Sequence, residues 1–137
     1  MGDNAINNII MQETRALKIL LAFLEEQHDI LIKNDILEIE EIVEKIQVSN
    51  KLIAEAEVER RKIVNGNSMK DVLDKLNDEE TDINYRNIKK LINEVKVQKD
   101  TNEMLIKMNL SFSIKMLNIL QPDIKLKTYN ANGKLKR

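Results

Sequence analysis

The chain has 137 residues with 22 basic and 23 acidic side chains, a size that fits one modest domain. Hydrophobic residues make up 42% and charged residues 33%, a balance that excludes a wholly disordered acidic or basic tail. The absence of cysteine excludes disulfides, thiolate catalysis and sulfur-ligated zinc, and a single histidine, His28, excludes multi-histidine metal sites within one chain.

Met1 to Asn4 carries no basic region of the kind that opens a secretory signal, so the expectation is a cytoplasmic protein. The longest apolar run, Ile19 to Leu24, is six residues, where a membrane span needs about 20. Glycine and proline occur only at Gly2, Gly66, Gly133 and Pro122, which leaves two long stretches without a helix breaker and predicts an all-α chain.

From Ala5 to Lys33, Ile10, Leu17, Leu24 and Leu31 recur every seven residues, with Ile6, Leu20, Leu21 and His28 on the same side. This is the pattern of a long amphipathic helix. Asp35 with Glu38 reads as a capping box after a tight turn, so a second helix returns antiparallel to the first. It carries Ile39, Ile46 and Ile53, with Ile42, Val43, Ala56 and Ile63 alongside, and ends near Val64 before Asn65-Gly66-Asn67. Ser68 and Asp71 open a short third helix with Met69, Val72, Leu73 and Leu76 on one face. Asn77 to Asp82 reads as a turn, and Ile88, Leu91, Ile92, Val95, Leu105, Phe112 and Met116 carry a last helix to Leu120, before Pro122. At about 1.5 Å per residue the three main helices would be roughly 40 to 60 Å long. The expected architecture is an elongated antiparallel bundle of three long helices plus one short one, residues 1–121. A flexible basic tail, residues 122–137, follows: Asp123 to Arg137 holds five cations against one acid, a net +4, while the other 122 residues hold 17 against 22, a net −5.

Candidate chemistry is sparse. Glu25 and His28 have the E-x-x-H spacing of ferritin-like bundles, but such sites need a second histidine from another helix. His28 is expected at the edge of the first helix's apolar stripe, with no metal and no cofactor. Ser49, Ser68, Ser111 and Ser113 share one possible histidine partner and none sits in a nucleophile elbow, so no enzyme is expected. The tail could neutralise phosphates, yet it lacks a reading helix and an aromatic platform beyond Tyr129, so no nucleic-acid partner is expected.

The informative stretch is Met104 to Leu120, apolar at eleven of seventeen positions. On a helix, Leu105, Met108, Phe112, Met116 and Ile119 form one stripe and Ile106, Leu110, Ile114 and Leu117 another. The first two helices could bury one stripe, leaving the other to a second subunit, the short helix or a client. Methionine suits a surface that fits several partners, and equally an ordinary core.

Asn102-Glu103-Met104-Leu105-Ile106, Leu110-Ser111-Phe112, Met116-Leu117-Asn118-Ile119-Leu120, Pro122 and Thr128-Tyr129-Asn130-Ala131-Asn132-Gly133 resemble the C-terminal third of FlgN-like flagellar export chaperones, most clearly from Gln98 to Lys134. The first two-thirds resemble that family only in plan. The resemblance implies a non-enzymatic cytoplasmic chaperone for the hook-filament junction proteins FlgK and FlgL, which prevents their premature assembly and delivers them to the type III export gate. It also implies docking to the gate component FlhA through the C-terminal region near Tyr129. With the client's terminal helices as occupants, Ile106, Leu110, Ile114 and Leu117 are the expected client surface, because the first two helices need that stripe least. The alternative is a structural coiled coil, self-associating through the same stripe, with no export role.

Overall fold

The computed structural model describes residues 4–120, which form four α-helices and, among those residues, no strand. They are α1 (Ala5–Lys33), α2 (Ile36–Val64), α3 (Met69–Leu76) and α4 (Glu79–Leu120). The expected tail, with Tyr129, lies outside the described residues.

Asparagine ends the first three helices. Asn34, Asn65 and Asn77 each take the left-handed conformation that closes a helix, one that asparagine tolerates better than most residues. Asp35 and Ser68 open α2 and α3, their side chains accepting from the amides of Glu38 at 3.2 Å and Asp71 at 3.1 Å. Only the Asp35 half of the expected capping box forms. The turn read at Asn77 to Asp82 is shorter than the sequence suggested, because α4 begins at Glu79. The signal was Asp78 before Thr81: the Asp78 carboxylate accepts from the Thr81 hydroxyl at 2.6 Å and from the Glu80 and Thr81 amides. It thereby occupies the donors that would otherwise leave the first turn unsatisfied.

The contacts divide the chain into two compact units, one through Asn102 and one from Glu103. In the first, α2 returns antiparallel to α1, as the pairs Glu13 with Arg60 and Phe23 with Lys45 show. α4 then runs parallel to α1. Asn4 bonds Asp78 and Thr81, Asn7 bonds Asn84, and Leu24 and Gln27 both bond Asn102, a separation of 74 to 78 residues throughout. α3 joins the end of α2 to the start of α4, and its Leu73 is buried against the core of Ile6, Ile10, Leu17, Val64, Ile88 and Leu91.

α1 supplies the central seam. Ile10, Leu17, Leu24 and Leu31 are buried, and so are Ile6, Glu13, Leu20 and Gln27, which alternate with them at the 3-4 spacing of a heptad. Leu21 and His28 are only half-buried, so two polar residues, Glu13 and Gln27, hold places the sequence reading filled with Leu21 and His28. On α2 the buried line is Ile42, Ser49 and Ala56, with Val64. Ile39, Ile46 and Ile53 are half-buried, and Val43 and Ile63 are exposed. Small Ser49 and Ala56 let the α1 and α2 backbones approach with Cα atoms within 8 Å, which no other helix pair does along its length among the described residues.

The two buried polar residues each bind a different neighbour. Glu13 accepts from Arg60 Nε of α2 at 2.8 Å. Gln27 accepts from Asn102 Nδ2 of α4 at 2.8 Å, and the same amide group donates to the Leu24 carbonyl at 2.8 Å while its oxygen accepts from Gln98 at 3.0 Å. No buried side-chain nitrogen or oxygen among the described residues lacks a partner. A polar residue in a helical seam is satisfied in one register only, so Glu13 fixes α2 and Gln27 fixes α4.

Three consequences are measurable. Asn102→Ala leaves the Gln27 acceptor and the Gln98 donor unpaired and should cost about 1–3 kcal/mol in urea unfolding; an unchanged midpoint contradicts the network. Ile10→Ala empties a fully buried site and should cost about 2–5 kcal/mol. Burial raises the Glu13 pKa, against the charge and hydrogen bond of Arg60 that lower it. The folded chain therefore holds that proton more tightly than the unfolded chain. Its stabilising effect is complete below the ordinary glutamate value of about 4.3 and is lost as pH rises through the raised folded value. The wild-type protein should gain stability relative to Glu13→Gln as pH falls from neutrality through that window, and a pH-independent difference would contradict the assignment.

Candidate functional site

The buried positions of α4 are Thr81, Ile88, Leu91 and Asn102, and they stop there. From Glu103 to Leu120 no residue is buried; Leu105, Asn109 and Ile114 are half-buried and the rest are exposed. Both apolar stripes therefore face solvent. The sequence reading let the first two helices bury one of them, and the exposure corrects this: Phe112 is 65% and Ile119 72% exposed on the first stripe, Ile106 44%, Leu110 42% and Leu117 48% on the second.

At about 100° per residue the centres of the two stripes lie about 150° apart. They are nearly opposite faces of one helix, and a single flat neighbour covers at most one of them. The polar residues between them include Lys107 and Lys115, so the apolar lines have charged margins. The segment offers hydrophobic area on two faces of one helix. Burial of one such side chain stabilises a complex by roughly 1.5–3 kcal/mol before the costs of association.

The other sequence candidates are dispersed. Glu25 is exposed, and the nearest ionic partner of half-buried His28 is Asp29, with Nδ1 3.7 Å from the carboxylate. No group of three or more metal-ligating side chains occurs among the described residues. Ile106, Leu110, Ile114 and Leu117 lie together on α4, and Tyr129 is outside the described residues. No helix among the described residues is long and apolar enough to cross a membrane.

A family model described as FlgN protein matches residues 1–137. The chain belongs to the FlgN family. That membership extends over the whole chain, including the first two helices, where the sequence resembled the family only in plan. It supports a role as a flagellar export chaperone, in a family of chaperones not known for enzymatic activity. No curated protein and no solved structure matches the chain.

Because Ile106, Leu110 and Leu117 are exposed, their replacement by serine should shift the unfolding free energy by no more than about 0.5 kcal/mol. A loss of several kcal/mol in urea titrations would show that this stripe is core.

Proposed function

We propose that this FlgN-family protein is a cytoplasmic export chaperone that holds the hook-filament junction proteins FlgK and FlgL by their terminal helices. It keeps them from assembling prematurely and delivers them to the type III export gate. Residues 1–121 act as the chaperone domain, and residues 122–137 form a basic tail that docks on FlhA through Tyr129. No cofactor and no nucleic acid take part.

The observation that carries this reading is the exposure of both stripes between Glu103 and Leu120 in a chain that belongs to a chaperone family. An amphipathic client helix laid along Ile106, Leu110, Ile114 and Leu117 removes apolar surface of both partners from water. The client's own assembly helices are then occupied. Release requires no covalent step, because the interaction is apolar contact on an open ridge and its lifetime is set by the area buried. Tyr129 would add a large, rigid contact at the gate, and the surrounding lysines would speed the encounter.

Co-purification with the terminal helical segments of FlgK and FlgL, followed by sizing, tests the proposal. The expected result is a complex that Leu110→Ala and Leu117→Ala each weaken by about 1–3 kcal/mol, roughly five- to 150-fold, with helicity unchanged. Unchanged affinity in both variants rejects the stripe. A concentration-dependent homodimer that ignores FlgK and FlgL favours the self-associating coiled coil. Tyr129→Ala should lose FlhA binding while keeping client binding, and normal FlhA binding by that variant removes the tyrosine from the account.

A further inference from the structure

The turn between α1 and α2 presents a second exposed apolar surface, far in sequence from the stripes of α4. Ile32 on the last turn of α1 is 64% exposed, and Ile36 and Leu37 on the first turn of α2 are 69% and 73% exposed. Three large aliphatic side chains within six residues thus form a knob at the end of the hairpin. Isolated exposed aliphatics are ordinary on protein surfaces, but a contiguous group of this kind marks an interaction site more often.

The charge around the knob is one-sided. Between Glu25 and Lys45 there are eight carboxylates and two lysines, a net −6 in a chain whose total is −1. All ten of these side chains are exposed. Beside the knob, a cleft of about 260 Å³ has Ile30 and Ile42 among its lining, with four carboxylates and two lysines, Lys33 and Lys45, around them. Those two isoleucines are buried, so the cleft has an aliphatic base, and its charged lining of four acids and two lysines is net −2, with the larger excess of carboxylates on the hairpin around it. That combination suits the long stem and charged head of a lysine or arginine.

The knob is also held in place. Asn34 closes α1 in the left-handed conformation, its amide bonding the Ile30 carbonyl at 2.9 Å, and Asp35 caps α2 directly afterwards. A two-residue connection capped on both sides loses little conformational freedom on binding, which lowers the cost of association.

We propose that the α1–α2 hairpin tip is a docking surface for a protein partner that carries a shallow apolar pocket rimmed by lysine or arginine. The charge decides among possible occupants. A net −6 repels anionic lipid headgroups and nucleic-acid phosphates, so the exposed aliphatics do not serve as a membrane or RNA anchor. It also repels the same tip of a second copy. A cationic rim is attracted to the tip and fits the adjacent cleft, and the aliphatic side chains then enter the pocket. This surface is independent of the client stripe on α4, and neither proposal requires the other.

The test uses the full chain and a fluorescent amphipathic helical peptide of leucine and lysine, with a counterpart in which every lysine is glutamate. The leucine-lysine peptide should bind, with affinity falling as salt is raised, and the leucine-glutamate peptide should not. The double variant Ile36→Ser, Leu37→Ser and the charge reversal Glu38→Lys, Glu41→Lys should each weaken binding about tenfold or more, with unchanged thermal unfolding. The double variant Leu110→Ser, Leu117→Ser removes any binding of the peptide at the client stripe and should keep the salt-sensitive component that the tip variants lose, so a failed client stripe is distinguished from a failed tip. Unchanged binding by the tip variants, or equal binding of the two peptides, overturns the proposal. So does a tip-dependent association with phosphatidylglycerol vesicles or a tip-dependent homodimer, which would assign the knob to a bilayer or to a second copy.

Discussion

The organisation of the first unit depends on α1 being covered on two sides at once. Its seam of Ile10, Leu17, Leu24 and Leu31, alternating with Ile6, Glu13, Leu20 and Gln27, is too wide for one neighbour. α2 approaches closely because Ser49 and Ala56 are small, and its Arg60 meets the carboxylate of Glu13. α4 covers the other flank, and its Asn102 meets Gln27. The apolar residues supply most of the free energy. The two polar ones supply the register, since a shift of either helix would leave a buried group without its partner.

Parallel packing of α1 and α4 creates an electrostatic problem that the sequence solves locally. Two helix N-termini lie side by side, each with the positive end of a helix dipole. α1 has no acidic residue in its first turn. Asp78 sits between the two ends, accepting from Asn4 Nδ2 at 2.8 Å and from the Thr81 hydroxyl, while Asn4 caps α1 through the Asn7 amide. These bonds hold the Asp78 pKa below its ordinary value, the Thr81 hydroxyl being the largest cause and Asn4 the next. One carboxylate thereby serves both helices, and Thr81, which is fully buried, is held between them.

Much of this was legible beforehand. Scarce glycine and proline marked the helices, and Asn34-Asp35, Asn65-Gly66 and Ser68 marked their ends, because capping chemistry is local and depends on a few neighbouring residues. The heptad of Ile10 to Leu31 was equally plain. Glu13, Gln27, Ser49 and Asn102 were not: periodicity counts apolar residues, and a polar residue in a seam becomes recognisable only when its partner some 47 to 75 residues away is known. Asp78 was missed because the acidic run around it resembled a turn. The richness of Met104 to Leu120 was read correctly as more than one stripe, but the expectation that the first two helices would cover one of them failed, since core positions in α4 end at Asn102. The knob at Ile32, Ile36 and Leu37 carried no periodic signal at all; three aliphatics spread across a turn look like the ends of two amphipathic helices.

α4 is buried in the seam as far as Asn102 and open to solvent on two faces beyond it. Hydrogen-deuterium exchange of the free chain, and of the chain with a terminal helix of FlgK, measures this directly. Amides between Thr81 and Asn102 should be the more protected in the free protein, and those between Glu103 and Leu120 should gain protection when the client helix binds. Equal protection of the two stretches in the free protein, unchanged on addition of the client, would contradict it.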